Sequence, residues 1–433
     1  MPVAYLGSGL EADKAAIHTR HKIAVRLLPF LFVLYITNYL DRTNVAYAAL
    51  EMSRDLGFND RVFGLGAGIF FIGYVALQIP GALLVEVWSA RRCITVIMLA
   101  WGSLTVLTGL VHSADQLYLA RFVLGAAEAG FFPGVVVYLS HWFIREDRAK
   151  ATGNFMAAIP LSFIIGSPVA GWILGHHWLG FEGWRWLFAL EGLPAVLLGV
   201  VAFFYLTDWP VQAGWLHPQQ RDWIVRTLEE EKPAKVGRVS IWRALGSRPI
   251  LLLAAAAFLE YFVFYTMAFW FPTILKRLSG LSNARIGFLG TIPYLACLSA
   301  MLINGWHSDK RSERRIHSAI PLFIGAAGLL GLLTLPASLW LMLTLFSMLA
   351  VIHSFLAPFW ALPSEILGES AAATAVGFIN AVASVSGFAG PYIFGYLNTR
   401  TGNFSAGLAA MLICCLGSGL LLLWAPEAPK LAA

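Results

Sequence analysis

Residues 81–92 read Gly81-Ala-Leu-Leu-Val-Glu86-Val-Trp-Ser-Ala-Arg91-Arg92, and residues 305–315 read Gly305-Trp-His-Ser-Asp309-Lys310-Arg311-Ser-Glu-Arg314-Arg315. Each stretch closes one apolar segment and opens the next, and each runs glycine, then an acid, then paired arginines. The same step thus occurs once in each half of the chain, after the second apolar segment and again after the eighth. Tandem six-helix halves leave this kind of trace in a sequence.

Outward from these two junctions, long apolar segments predict helices over 24–47, 62–87, 93–112, 116–142, 150–176 and 184–207, then 249–275, 285–306, 316–335, 337–362, 370–397 and 404–425. Each is long enough to cross a bilayer, which takes about 20 apolar residues. With 58% hydrophobic and only 12% charged residues, the chain carries about half the charge that a soluble surface needs. The fold expected is an all-α membrane protein of twelve transmembrane helices in two pseudo-symmetric halves, residues 1–207 and 249–433, joined by a cytoplasmic linker at 208–248.

Orientation follows from lysine and arginine. With the N-terminus inside, 21 of the 30 fall on inside segments and seven on outside segments, leaving only Arg42 and Arg121 within spans. Positive charge marks the cytoplasmic side, so both termini are expected there. The net charge of +6 sits in short clusters between apolar segments, which is membrane topology and not a nucleic-acid surface. In the linker, Asp208-Trp209-Pro210, the acidic run Glu229–Glu231 and the stretch Ile241–Leu245 fit either short interfacial helices or a solvated connection. Cys93, Cys297, Cys414 and Cys415 form neither a disulfide framework nor a metal site. The charged first 26 residues lack a cleavable signal pattern. No nucleotide loop, nucleophile elbow or HExxH occurs, so no enzyme, cofactor or metal is expected.

With its paired loop signatures, the chain resembles the major facilitator superfamily. The first copy departs in detail: Ser89 stands where that pattern has glycine, and Glu86 falls one place late. A narrower resemblance rests on Asn38-Tyr39-Leu40-Asp41-Arg42-Thr43-Asn44, on Arg121-Phe-Val-Leu-Gly-Ala-Ala-Glu128-Ala-Gly-Phe-Phe-Pro133-Gly134 and on Gly377-Phe-Ile-Asn380. These are similar to the anion:cation symporter family, which includes bacterial permeases for tartrate, galactonate and phthalate and the animal sialin and vesicular glutamate carriers. Glu191-Gly-Leu-Pro194, Leu206-Thr-Asp-Trp-Pro210 and Trp215-Leu216 resemble its bacterial tartrate-permease branch. The resemblance implies a multi-pass protein of the bacterial inner membrane that carries a small organic anion with protons. It also implies a gating role for the loop residues Gly81, Glu86, Arg91, Arg92, Gly305, Asp309, Arg311 and Arg314. It links Arg42 to the substrate carboxylate, Glu128 to a proton, and Asp41 and Arg121 to protonation and its coupling.

Physical chemistry selects the same four residues. An unpaired charge at mid-bilayer costs at least about 3 kcal/mol, and here four stand in two helices. One reading is a pair of ion bridges that only lock span one to span four. Desolvation makes such pairs poor stabilisers, so a functional reason is the stronger reading. Asp41 and Arg42 are adjacent and point about 100° apart around the helix. Arg121 and Glu128, seven apart, share a stripe but are separated by about 10 Å along it. The expected arrangement turns Asp41 toward Arg121 and sets Arg42 in a central chamber near Glu128. An arriving anion then takes Arg42 from Glu128 and leaves a like charge beside it, which favours proton uptake.

Further lining candidates are Tyr74 and Gln78, one turn apart in span two, and Asn380 and Ser384 in span eleven. Each reads either as a ligand contact for a hydroxylated acid or as a hydrogen bond between helices. Tyr261, Tyr265 and Trp270 of span seven, with His353 and Trp360 of span ten, are aromatic candidates in the second half; of these, Tyr265 and His353 are taken as substrate-binding. Small residues Ala126, Gly130 and Gly134, and the cluster Gly166, Pro168 and Gly171, suit close approach and bending. Gly166-Ser-Pro168 partly matches a motif of major facilitator antiporters, so exchange stays open beside symport. A monomer in the bilayer is expected, with protons and a small organic anion as its partners.

Overall fold

The computed structural model describes residues 4–231, 246–336, 338–367 and 369–425, and among these residues there is no strand, only an isolated bridge between Trp178 and Phe181. Among the described residues, eleven helices are long and apolar enough to cross a membrane: Ala15–Asp55, Asp60–Val85, Ala90–Thr108, Ala114–Trp142, Gly183–Tyr205, Arg248–Ser279, Asn283–Arg311, Arg315–Thr334, Leu339–Leu367, Thr374–Thr401 and Ser405–Trp424. The shorter apolar helix Ala158–Leu174 stands between the fourth and fifth of these, which completes the expected twelve; it is span five below.

Polar caps set several boundaries. The side chain of Asn59 accepts from the Val62 amide at 2.9 Å to start span two, and Ser113 and Ser338 begin spans four and ten in the same way. Each satisfies one amide that a helix start leaves without an intrahelical partner. Gly280, at φ 65°, closes span seven by returning its amide to the Lys276 carbonyl, a conformation that side chains other than glycine resist.

The structure departs from the expected boundaries in three places. Span one runs on to Asp55, well past residue 47, because no breaker intervenes before Gly57, which takes φ 67°. Span five is not one helix over 150–176 but two, Arg145–Met156 and Ala158–Leu174. Span ten is interrupted by a 3-10 turn at Val351–Phe355. In the linker, a 3-10 turn at Pro210–Gln212 precedes a helix at Pro218–Glu230 that buries Ile224. Ile241–Leu245 lies outside the described residues.

Glycines let the helix backbones touch within each half. A Cβ on Gly125 would meet the Phe70 carbonyl oxygen at 1.9 Å, one on Gly73 the Phe122 oxygen at 2.1 Å, and one on Gly81 the Gly130 Cα at 2.7 Å, which binds span two to span four along its length. Spans three and six meet in the same manner at Gly102 and Gly192, where each would strike the other's carbonyl oxygen. In lipid such close packing replaces the hydrophobic drive that assembles helices in water.

Two faces of the bundle can be told apart by charge. The basic face carries the Arg91-Arg92 and Arg314-Arg315 turns, and the far face carries the turns after Asp55, Ser279 and Thr401. The two halves meet toward the far face. Arg277 of span seven grips the Asp60 carboxylate with both terminal nitrogens, one of them at 2.7 Å, and Asn283 donates to Glu51 at 2.7 Å. A Cβ on Gly64 of span two would strike the Pro391 carbonyl oxygen of span eleven at 2.5 Å. Beneath them spans five and eight cross glycine on glycine, with a Cβ on Gly171 falling 2.8 Å from the Gly287 Cα.

Gly287→Leu therefore wedges the far face apart. In a background lacking the four native cysteines, Ala170→Cys, now buried at this crossing, should react faster with a membrane-impermeant maleimide when the leucine is present, and transport should stop. Labelling at the parent rate with full transport would refute the seam.

Candidate functional site

The only acid-to-guanidinium pair deep within the first half, among the described residues, joins Arg42 to Glu128. Arg42 Nε donates to Glu128 Oε1 at 2.8 Å, Nη2 reaches the same oxygen, and a longer bond from Nη2 meets Asn38 Oδ1 at 3.4 Å. Asn38 sits one turn before Arg42 and so shares its face. The guanidinium lies among the rings of Tyr39, Phe70 and Tyr74, with its carbon 4.8, 5.5 and 5.0 Å from their centroids. Ring faces attract a cation most when water is excluded. Glu128 is fully buried, and its second oxygen, Oε2, has no protein partner.

Span four bends just after this residue: one helical segment ends at Glu128 and the next begins at Phe131, around Gly130. Gly130 allows the approach of Gly81, so the small-residue spacing and the site geometry are one feature.

Asp41 turns the other way around span one, as adjacency requires. Its Oδ2 accepts the indole N–H of Trp101 from span three at 2.9 Å, and Oδ1 has no hydrogen-bond partner. Arg121 donates to the Arg42 carbonyl at 3.2 Å and stacks 4.8 Å from the Phe70 centroid. No hydrogen bond runs from Arg121 to Asp41; Arg121 Nε and Nη1 are left without partners. The four buried charges thus form one ion bridge, one bond to an indole and one to a backbone carbonyl, not two locked pairs. Trp101 carried no signal of this role, being one of 16 tryptophans in a membrane chain where indoles are common.

The weaker candidates divide. Tyr74 and Gln78 are buried on the side of span two that faces Arg42, and Tyr265 reaches across from span seven to pack 4.4 Å from the Phe71 centroid. Asn380 is half-buried, while the Ser384 hydroxyl is spent on the Asn380 carbonyl at 2.8 Å. His353 lies in the 3-10 turn of span ten, 1% exposed, with its ring stacked on Phe264 at 3.7 Å and Nδ1 3.1 Å from Glu260 Oε1. It meets a buried acid of span seven and not an open chamber. Glu260 was missed from the sequence, although an acid in the middle of an apolar helix is itself a signal; Glu191 of span six is a second such acid.

At the basic face the two loop signatures are built differently. In the second, Arg314 binds Asp309 at 2.5 Å and Glu365 of span ten at 3.3 Å, while Arg311 is exposed. Gly305 lies against Ala357 of the same span. Burial works to raise the Glu313 carboxyl, but the Ile316 and His317 amides and the His317 ring hold it below the usual range. In the first copy Ser89 caps span three in an extended conformation and donates to Asp208 at 2.8 Å, and Asp208 also accepts the Arg91 amide at 2.8 Å. The serine in place of glycine is thereby accounted for, since this position needs a cap and no unusual φ. Arg92 is exposed, and the side chain of Glu86 lies outside the described residues.

The comparisons with known proteins agree with this architecture. The family model of the Major Facilitator Superfamily matches residues 31–391. A protein of Agrobacterium vitis, named as a candidate tartrate transporter, is 40% identical over 391 residues, covering 89% of this chain and 90% of its own. A quinolone resistance transporter of Acinetobacter baumannii is 35% identical over 413 residues, covering 94% of each chain. Among solved structures, a bacterial homologue of the human lysosomal transporter Spinster, crystallised in an inward-facing and occupied conformation, superposes with a TM-score of 0.74 at 18% identity, over 93% of this chain and 97% of that one. Twelve apolar helices in two halves, paired loop signatures and buried charges at the helix crossings are thus those of a transporter for small organic substrates, and the chain belongs to the Major Facilitator Superfamily.

Proposed function

We propose that this chain imports a small hydroxylated carboxylate together with protons across the bacterial inner membrane, with both termini and the basic face in the cytoplasm. The single observation that carries the reading is the Arg42–Glu128 pair. A guanidinium wrapped in three aromatic rings is a ready receptor for a carboxylate, and its present partner is an acid of the protein itself. A substrate carboxylate and Glu128 then compete for one cation. When substrate takes Arg42, Glu128 is left buried without its counter-charge beside a new anion, and a proton neutralises it at least cost. Anion and proton therefore bind together, and each strengthens the other to the same degree.

Tyr74, whose ring lies against the Arg42 guanidinium, and Gln78 one turn further on supply a hydroxyl and an amide there, and Asn380 is a further candidate from the second half, which suits a polyhydroxylated acid such as tartrate or a sugar acid. The similarity to a candidate tartrate transporter supports this class. With the basic face inside, closure of the far face corresponds to the inward-facing member of an alternating-access pair. The similarity to a quinolone resistance transporter favours a second reading, proton-driven export on the same fold. The two readings part on the direction of the gradient and on the probe.

Purified protein in liposomes, with labelled L-tartrate, D-galactonate and ciprofloxacin as probes, decides between them. Import predicts that an inwardly directed proton gradient concentrates a hydroxy acid and leaves ciprofloxacin unmoved; ciprofloxacin transport driven against the proton flux would favour the exporter. Glu128→Gln should abolish uphill uptake while retaining counterflow, and undiminished uphill uptake in this variant would sink the assigned role.

A lysine at Arg42 keeps the charge but not the planar fork that reaches Glu128 and would reach a substrate carboxylate. Arg42→Lys should weaken L-tartrate counterflow affinity by about tenfold or more, the worth of a charge-assisted hydrogen bond. Parent-like affinity would show that this cation does not hold the substrate.

A further inference from the structure

Glu191 lies in the middle of span six, 6% exposed, and no step above uses it. Its carboxylate borders a small cavity between spans one, five and six, which is lined on its polar side by Thr43, Asn44, Tyr47, Ser162 and Ser167. The cavity has room for about one water molecule. Around it several buried polar atoms have no hydrogen-bond partner in the protein: Glu191 Oε2 and both amide atoms of Asn44, with Asp41 Oδ1 one helical turn further along span one. Unsatisfied polar groups grouped about a water-sized space are the signature of an internal water, since leaving each one dry is costly.

The neighbours of this cavity give it a direction. Asn44, which lines the cavity, follows Asp41 by three residues and shares its side of the helix, where Asp41 Oδ1 has no partner. Toward the far face, Tyr47 donates to Ser167 at 2.6 Å, and these two residues lie directly under the crossing that closes that face. A Cβ on Gly287 would strike the Ser167 carbonyl at 2.3 Å, and one on Gly290 the Tyr47 hydroxyl at 2.7 Å. Span three contributes only the neutral Thr105 against Gly192 and the Trp101 indole that holds Asp41. From span four, Arg121 donates to the Arg42 carbonyl next to Asp41, and Glu128 holds the Arg42 guanidinium. The cavity thus has a carboxylate at one wall, a second acid one helical turn along span one from its Asn44 lining, and a lid made from the interface that must part when the far face opens.

We infer that Glu191 and its hydrated cavity form the outward proton port of this transporter, loading a proton when the Gly171–Gly287 crossing opens and passing it through the bound water to Asp41. The inference rests on the proton-coupled reading above. A proton from external water forms the O–H bond at Glu191 as the crossing parts. That bond breaks as the proton moves across the cavity water to Asp41, and release from Asp41 toward the basic face completes the cycle with Glu191 again a carboxylate.

The test uses full-length protein in liposomes with labelled L-tartrate, comparing the parent, Glu191→Gln, Glu191→Asp and Ser162→Val, the last of which fills the cavity without touching a charge. Glu191→Gln should retain counterflow but lose one proton from the coupling, so that at a proton-motive force on the order of 100 mV the accumulation ratio falls about 50-fold. The dependence of uptake on external pH should flatten, Glu191→Asp should restore part of it, and Ser162→Val should repeat the loss. A Glu191→Gln or Ser162→Val protein that accumulates L-tartrate like the parent, with an unchanged pH profile, overturns the port and leaves coupling through Glu128 standing. A parent that gains nothing from the proton gradient overturns both.

Discussion

A guanidinium and a carboxylate held together inside a membrane protein are stable only as long as neither loses the other. That constraint governs the first half of this molecule. Arg42 and Glu128 are buried to a degree at which either charge alone would be expensive, and the Glu128 Oε2 left over has nothing to bind. The pair is satisfied enough to persist and unsatisfied enough to be exchanged. A more complete set of hydrogen bonds would make a better structural lock and a worse receptor.

The helix packing around the pair serves that balance. Spans two and four are in backbone contact at Gly73, Gly81, Gly125 and Gly130, so the rings of Phe70 and Tyr74 are pressed against the guanidinium with little freedom to relax. The contacts between the halves are of another kind. They include the glycine crossing at Gly171 and Gly287, close backbone approaches of span two to span eleven at Gly64 and Gly68, where a Cβ would strike the Pro391 and Phe388 carbonyl oxygens, an exposed ion pair at Asp60 and Arg277, and ring contacts such as Phe71 on Tyr265. Surface ion pairs contribute little net stability, and a glycine crossing is close without being interlocked. Glycine crossings let one half pivot on the other, which a rocking motion about a central site requires.

Much of this was legible in the sequence, for a physical reason: a bilayer imposes its thickness on every span and its charge rule on every turn. Helix number, the two-half repeat and the four charges in spans one and four follow from those rules alone. What stayed hidden depends on distant partners. Nothing near Asp41 says that its hydrogen bond comes from Trp101, sixty residues on. Nothing in the Ser89 turn says that Asp208 completes its cap. The 3-10 turn at Val351–Phe355 sets His353 toward Glu260, and no periodicity marks such a break. Glu191 and Glu260 were visible as letters, yet the cavity beside one and the imidazole beside the other exist only in the assembled bundle.

The distribution of charge between the halves has a consequence for selectivity. The first half holds Asp41, Arg42, Arg121, Glu128 and Glu191 at mid-span. The second half, among the described residues, offers there Glu260 with its histidine, and otherwise aromatic rings and amides such as Tyr265 and Asn380. Charge recognition and proton chemistry are therefore concentrated on one side of the central site, and shape and hydrogen-bond recognition on the other. A substrate with one carboxylate and several hydroxyls matches that division along its own length, its anionic end toward Arg42 and its hydroxylated end toward the second half. The second carboxylate of tartrate would face the hydroxyl and amide groups of the second half, so a relative that keeps Arg42 and Glu128 is free to differ in cargo by changing the second half alone.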